Sequence, residues 1–305
     1  MNPFIQSTIL GIVEGLTEFL PVSSTAHLRI TEALMHIPLN AAVCPAGDMA
    51  CSQSVSYWEM YTIVIQLGAI LALCLLFLSR VVGFFRSFPQ GEKGDRTIYN
   101  HPVTLTFVAF VCTSIPALLL RKWSEKNLGS LAAMAWALVI GGIVMWAVDA
   151  WASRRDPYTT DVEEMTFLQA VWIGLCQTLS AIFPGVSRSM STIAAGQLAD
   201  LTRPAALEFS FLLSIPTMLA ATGWDLVHEV HPRLHGSHPA AAHVVMNPER
   251  WGVLILGTVV SFIVALGVVE WFLMWVRRHG FTMFAIWRIL LGGWLLIWGA
   301  RYIHG

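Results

Sequence analysis

The stretch EGLTEFLPVSSTAH, from Glu14 to His27, places two carboxylates, two serines, two threonines and a histidine around a single proline, Pro21. The residues on either side are largely apolar. The chain as a whole has 305 residues, 56% of them hydrophobic and only 12% charged. A soluble globular chain carries about 25% charged residues, so the polar stretch lies in a protein built for lipid. A net charge of −1 gives no case for nucleic acid.

Long runs without charge support that class. Residues 60–78 carry Gln66 as their one strongly polar side chain, and 103–120, 131–148, 209–224 and 251–269 carry no charge. Residues 281–300 carry one, Arg288. About 20 apolar residues cross a bilayer as a helix, so six spans are expected. Tyr57, Trp58, Trp123, Trp151, Trp251 and Trp275 mark run ends, as interfacial belts do. The first residues lack a basic region, and Glu14 and Glu18 interrupt the apolar stretch, so the N-terminus is expected to stay as structure rather than be removed.

Two further segments, 3–34 and 167–201, are apolar but broken, the first at Pro21 and the second at Pro184-Gly185. Each half is too short to span. Helix, break, helix is the pattern of a re-entrant hairpin, tolerated at membrane depth only inside protein or beside a wet cavity. The two segments echo each other. Gly11, Glu14 and Pro21 have the spacing of Gly174, Gln177 and Pro184, and serine-rich turns follow both. EMYTIVIQLGAILA from Glu59 likewise aligns without gaps to EFSFLLSIPTMLAA from Glu208.

Each half then holds a hairpin and three spans, and three is odd, so the second copy is inverted. The expected fold is all-α integral membrane: six transmembrane helices plus two re-entrant helix-turn-helix hairpins in an inverted-topology repeat. The first repeat covers 1–151 with its hairpin at about 3–35, the second 152–305 with its hairpin at about 167–201. Such repeats place a site at their interface. Each second half-helix starts beside serines, near Ser23 or Ser24 and near Ser187, and serine is a good N-cap. Helix N-termini bind anions, and two facing starts suit a doubly charged anion such as pyrophosphate.

Glu14 and Glu18 lie four apart, on one helical face. They read as a divalent-metal site, or one of them as a base, because acids inside membranes are functional candidates by default. The plain alternative is a polar interfacial face. Ser24 and His27, three apart, are placed to face one site: Ser24 is a candidate nucleophile with a base beside it, or His27 attacks directly. Plain capping by the serines and a satisfied histidine is the alternative. Arg188 adds a planar fork of donors that matches phosphate oxygens, set among Ser187, Ser189, Ser191 and Thr192. A snorkelling arginine would explain its charge but not the hydroxyls around it.

EGLTEFLPVSSTAH together with PGVSRSMST resembles the bacterial undecaprenyl pyrophosphate phosphatase family, known for bacitracin resistance. VIQLGAILA, EFSFLLSIP and the FAIWR run ending at Arg288 match as well, so the resemblance spans nearly the whole chain. It implies hydrolysis of a polyprenyl pyrophosphate to the monophosphate and phosphate, in the bacterial plasma (inner) membrane. The site would open to the extracytoplasmic side. It implies a divalent metal, Mg or Ca, on Glu14 and Glu18, or acid–base work by them. Ser24 or His27 falls on the nucleophile position. Arg188 would hold the pyrophosphate, helped by Ser187 and Thr192, with Ser23, Thr25, Ser189 and Gln66 as further substrate contacts. Ala181 stands where the second hairpin would need a counterpart of Glu18, which puts the chemistry mainly on the first. Partners are the polyprenyl lipid and the membrane, and a homodimer is compatible. A transporter or flippase of a phosphorylated polyprenyl lipid is the competing function, since inverted repeats with broken helices also build transporters.

Other residues carry weaker signals. Arg288 is expected to pair with a buried acid or to touch the lipid phosphate, and Gln66 and Glu208 to line the site or to be satisfied in the core. Cys44 and Cys51 are either a local disulfide or two free thiols. His228, His231, His235, His238 and His243 are expected on a solvated irregular loop rather than on a metal. Eight Lys or Arg on one side of the membrane against seven on the other is a weak bias placing both termini outside.

Overall fold

The computed structural model describes residues 1–38, 44, 48–91, 94–128, 130–230 and 246–299. The described residues are helical in their regular structure, apart from one bridge between Thr159 and Leu201. The elements are α1 (Pro3–Thr17), α2 (Ser24–Leu34), α3 (Met49–Leu76), α4 (Leu78–Ser87), α5 (Pro102–Leu128) and α6 (Leu131–Ala152). After a 3-10 turn at Val162–Glu164 come α7 (Phe167–Ile182), α8 (Arg188–Leu198), α9 (Arg203–Val230), α10 (Pro248–Val276) and α11 (Thr282–Trp294). A π-helical turn, Leu295–Gly299, continues α11.

Among the described residues, five helical stretches are long and apolar enough to cross a membrane: Met49–Leu76, Pro102–Leu120, Leu131–Ala152, Arg203–Trp224 and Pro248–Val276. The chain is thus a multi-pass membrane protein. The helices run past the apolar windows because their caps lie further out. Asp48 accepts from Ala50 and Cys51 N–H to start α3, and Asn247 accepts from Arg250 N–H to start α10, satisfying donors that a helix start leaves open. α9 reaches Val230, so His228 stands on a helix and not on the expected loop. His231 to His243 lie outside the described residues.

Packing between the halves is crossed. α1 lies along α10, and α7 lies along α5. Gly11 faces the Gly257 carbonyl so closely that a Cβ there would stand 2.6 Å from the oxygen, and a Cβ on Gly174 would stand 2.4 Å from the Ala109 carbonyl. These are the glycines that open the two echoing sequence segments. Without side chains they let backbones touch, the usual route to tight helix pairs in lipid. Hydroxyls add ties: Ser7 donates to the Val253 carbonyl at 2.6 Å, and Thr113 donates to the Gly174 carbonyl at 2.7 Å.

Arg80 on α4 binds Glu208 at 2.8 Å and Asp161 at 3.1 Å. Asp149 is buried and accepts from Arg203 Nε at 2.7 Å, Gln197 at 3.1 Å and Phe281 N–H at 2.9 Å. Cys44 and Cys51 form a disulfide with Cα atoms 5.7 Å apart, while Cys74, Cys112 and Cys176 are free.

Candidate functional site

The two helix breaks meet at the centre of the molecule. Proline has no N–H to continue a helix, so α1 ends before Pro21 and α7 before Pro184. Each chain then turns through a serine with positive φ, Ser23 at 76° and Ser187 at 72°. That region favours glycine and costs a serine about 1–3 kcal/mol, a cost that persists at sites where the surroundings over-determine the backbone. Gly185, at φ 97°, makes the second turn feasible, and a Cβ there would lie 2.7 Å from the Met134 carbonyl. Ser187 caps α8 by accepting from Met190 N–H at 3.4 Å, whereas Ser23 makes no side-chain cap to α2. The serine caps expected from sequence therefore hold for one hairpin only.

Arg288 fastens the two turns. Its guanidinium is fully buried and donates to the Pro21 carbonyl at 3.3 Å, the Gly185 carbonyl at 3.0 Å and the Ala137 carbonyl at 3.3 Å. No acid pairs with it among the described residues, which corrects the expectation of a buried ion pair. The broken helices expose carbonyls that need donors, and one five-donor side chain serves both breaks.

A cavity of about 750 Å³ opens at this meeting point. Glu18, Ser23, Ser24 and Thr25 line it from the first hairpin, and Gln177, Gly185, Ser187 and Arg188 from the second. Gln66 of α3 lines it too. Arg188 Nη2 donates to Glu18 Oε1 at 2.7 Å, and Ser24 Oγ donates to Glu18 Oε2 at 2.5 Å. Arg188 Nη1 also donates to the Ser214 carbonyl at 3.3 Å. The ion pair is shielded, with side-chain exposures of 14% and 10%, so solvent screens it little.

Glu14 sits one turn before Glu18 and is fully buried. Both of its carboxyl oxygens lack a hydrogen-bond partner. Buried polar groups are nearly always satisfied, and an exception calls for a water or an ion. Hard divalent cations take carboxylate oxygens, so Glu14 with Glu18 fits such an ion. No cluster of three or more His, Cys, Asp or Glu side chains suited to a metal occurs among the described residues. Two carboxylates completed by water and substrate phosphate is the Mg-type arrangement.

Other expected site residues lie elsewhere. His27 does not line the cavity. Trp287 Nε1–H donates to His27 Nε2 at 2.9 Å, and His27 Nδ1 lies 2.7 Å from the Ser23 carbonyl. Indole can only donate and a carbonyl can only accept, so this geometry assigns the His27 proton to Nδ1. The two rings lie nearly parallel, 14° apart, with centroids 6.0 Å apart. Thr192 is buried against Ser210, Oγ to Oγ 2.6 Å, and Ser189 donates to the Leu20 carbonyl at 3.0 Å, tying one turn to the other. Glu208 belongs to the Arg80 ion pair, not to the cavity. Sequence reasoning missed Gln177 as a cavity residue, although its place opposite Glu14 in the echoing spacing marks it.

Comparison with known proteins gives one consistent answer. The family model described as bacitracin resistance protein BacA matches residues 7–294. A protein named undecaprenyl-diphosphatase from Koribacter versatilis is 52% identical, covering 99% of this chain and 100% of its own. Proteins of that name from Caldanaerobacter subterraneus and Aquifex aeolicus are 38% and 36% identical, with 96% and 98% of this chain covered and 94% and 98% of theirs.

Proposed function

The chain belongs to the BacA family of bacitracin resistance proteins, and we propose that it hydrolyses undecaprenyl pyrophosphate to undecaprenyl phosphate and inorganic phosphate. The observation that carries this is the single carboxylate of Glu18, gripped by Ser24 from one half-helix start and by Arg188 from the other, inside a cavity reached by both.

The residues divide the work as follows. The pyrophosphate enters between the starts of α2 and α8, whose N–H groups and dipoles favour an anion. Arg188 turns part of its fork to the phosphate oxygens and offsets their charge. Glu18 Oε2 takes the proton of Ser24 Oγ as that oxygen attacks the terminal phosphorus. The bond from that phosphorus to the bridging oxygen breaks, and undecaprenyl phosphate leaves. Glu18 passes that proton to the departing undecaprenyl phosphate, then deprotonates a water that attacks the phosphorylated Ser24, and returns the proton to Ser24 Oγ as inorganic phosphate leaves. Ser24 is favoured over His27 because both His27 ring nitrogens are engaged outside the cavity. Glu14 and Glu18 would hold a divalent cation, Mg or Ca, which when bound supplies Lewis-acid stabilisation of phosphoryl charge. Ser23, Thr25, Ser187 and Gln66 offer polar contacts around the phosphates, while Ser189 and Thr192 hold the turn.

We place the two broken segments as re-entrant hairpins within an inverted repeat of 1–151 and 152–305. At 1.5 Å per residue, the 15 residues of α1 and the 16 of α7 reach about 22–24 Å, short of a hydrocarbon layer of about 30 Å. The crossed pairing of α1 with α10 and α7 with α5 supports the repeat. α11 with its π turn would be the sixth span. Disulfides persist in oxidising compartments, so the Cys44–Cys51 bond at the start of α3 supports an N-terminal side, and a site, facing outward across the plasma membrane.

Phosphate release from undecaprenyl pyrophosphate by the purified protein in detergent tests this reading. Metal-dependent release that chelator stops, that Ser24→Ala abolishes and that Glu18→Gln and Arg188→Lys each lower by about 10²-fold or more, is expected. No release by folded wild type across divalent metals would overturn it in favour of lipid transport.

A further inference from the structure

A second cavity, of about 490 Å³ and almost wholly apolar, runs between α6 and the α7–α8 hairpin. Ala133, Ala137, Val144, Phe183, Val186 and Ser191 are among its walls. The Ser191 hydroxyl donates to the Arg188 carbonyl at 2.9 Å, so its polarity is spent inside the helix. The groove adjoins the polar cavity through one turn. Phe183 and Val186 face the groove, while Pro184, Gly185 and Ser187 face the phosphate site.

The other half of the molecule has the same framework without the groove's small residues. α6 and α11 pack reciprocally: a Cβ on Gly142 would stand 2.8 Å from the Ala285 carbonyl, and one on Gly292 would stand 2.7 Å from the Ala135 carbonyl. A shift of 150 residues therefore relates α6 to α11. It sets Ala133 against Met283, Ala137 against Trp287, Gly141 against Leu291 and Val144 against Trp294, and of the α6 groove walls Trp136 alone is larger than its counterpart, Ile286. Ser191 and His27 are each the fourth residue of their half-helix. So Ala137 and Ser191 leave space where Trp287 and His27 meet through a hydrogen bond, their rings nearly parallel. Symmetry of the backbone combined with asymmetry of side-chain volume marks the opening as built.

We propose that this groove seats the first isoprene units of the polyprenyl chain next to the pyrophosphate, and that the Trp287–His27 pair closes the equivalent place in the first half. The proposal rests on the phosphatase reading and assigns the path of the lipid chain. A branched apolar chain joined to a pyrophosphate needs an apolar channel that begins at the phosphate cavity, and this groove begins at the turn carrying Arg188.

A photoreactive benzophenone residue tests it, placed at Ile140 in the groove or at Leu290, its equivalent 150 residues on. The two native side chains are similarly exposed, 55% and 64%, so access to bulk lipid is matched. With undecaprenyl pyrophosphate in micelles, adduct at position 140 should exceed that at 290 about tenfold, and excess phosphatidylglycerol should not suppress it. Equal adducts, or suppression by phosphatidylglycerol, would overturn the assignment. Ala137→Trp, which copies the first half, should raise KM for undecaprenyl pyrophosphate about tenfold with kcat within about twofold. An unchanged KM in folded variant protein would also overturn it. Phosphate release by the wild type, scored in the same preparations, separates loss of the groove from loss of the phosphatase reading.

Discussion

Ser24 and Arg188 open two different half-helices, and each binds a different oxygen of one carboxylate, Glu18, at 2.5 Å and 2.7 Å. Both follow directly on a serine with positive φ. The breaks thus deliver equivalent positions of the two hairpins to one point. The hydroxyl and the guanidinium found there are the two groups that phosphoryl transfer needs beside a base.

Glu18→Gln keeps the shape of the side chain and removes the base. kcat should fall about 10²–10⁴-fold, read by phosphate release. Since the amide also weakens the shielded pair with Arg188, thermal unfolding in detergent should be followed on the same variant. Retained kcat would remove Glu18 from the proton transfer.

His27→Ala distinguishes the two nucleophile candidates. Its ring is bound to Trp287 and the Ser23 carbonyl, so the variant should keep measurable turnover while Ser24→Ala keeps none. The reverse order in a single-turnover assay would make His27 the attacking group.

Arg288→Met leaves the Pro21 and Gly185 carbonyls without this donor, while the Ala137 carbonyl, inside α6, keeps its helical partner. Each unsatisfied buried group costs about 1–3 kcal/mol, so the melting temperature in detergent should drop clearly. kcat should fall with it, although Arg288 does not line the phosphate cavity. An unchanged melt would show that the turns hold without it.

Gly11→Ala and Gly174→Ala each press a methyl against a carbonyl of the partnering helix. Overpacking of this kind costs about 1–3 kcal/mol. Both variants should lower the melting temperature, and similar losses would match the crossed pairing of the halves.

Maleimide labelling in denaturant should modify three cysteines before reduction and five after it, because only Cys44 and Cys51 are bonded. Five before reduction would mean that the bond is absent from the isolated protein.

Much of this was legible before the structure. Pro21 and Pro184-Gly185 announce the breaks because proline interrupts helices in any context, and the matched glycine spacing announces a common framework. Glu18, Ser24 and Arg188 were legible by chemical type. What was hidden depends on contacts distant in sequence. A spacing of three put His27 beside Ser24 on one helical turn, but the ring follows Trp287, 260 residues away. Arg288 reads as a charge seeking an acid, and only the assembled turns reveal carbonyls in need of a donor. Ser189 and Thr192 share the motif of Arg188, yet helical periodicity turns them toward Leu20 and Ser210.

The crossed packing also sets an order of assembly. Ser7 finds its carbonyl partner 246 residues further along, on α10. Chains emerge N-terminus first, so the first hairpin is made early and must wait, with its two glutamates, until nearly the whole protein has been inserted. A product stalled before Arg188 would carry Glu14 and Glu18 with neither α10 to cover them nor Arg188 to neutralise them, and one stalled between Arg188 and Pro248 would still lack α10. In both, polar groups stranded in lipid would lie at the start of the chain, where quality-control proteases that recognise them would find their signal.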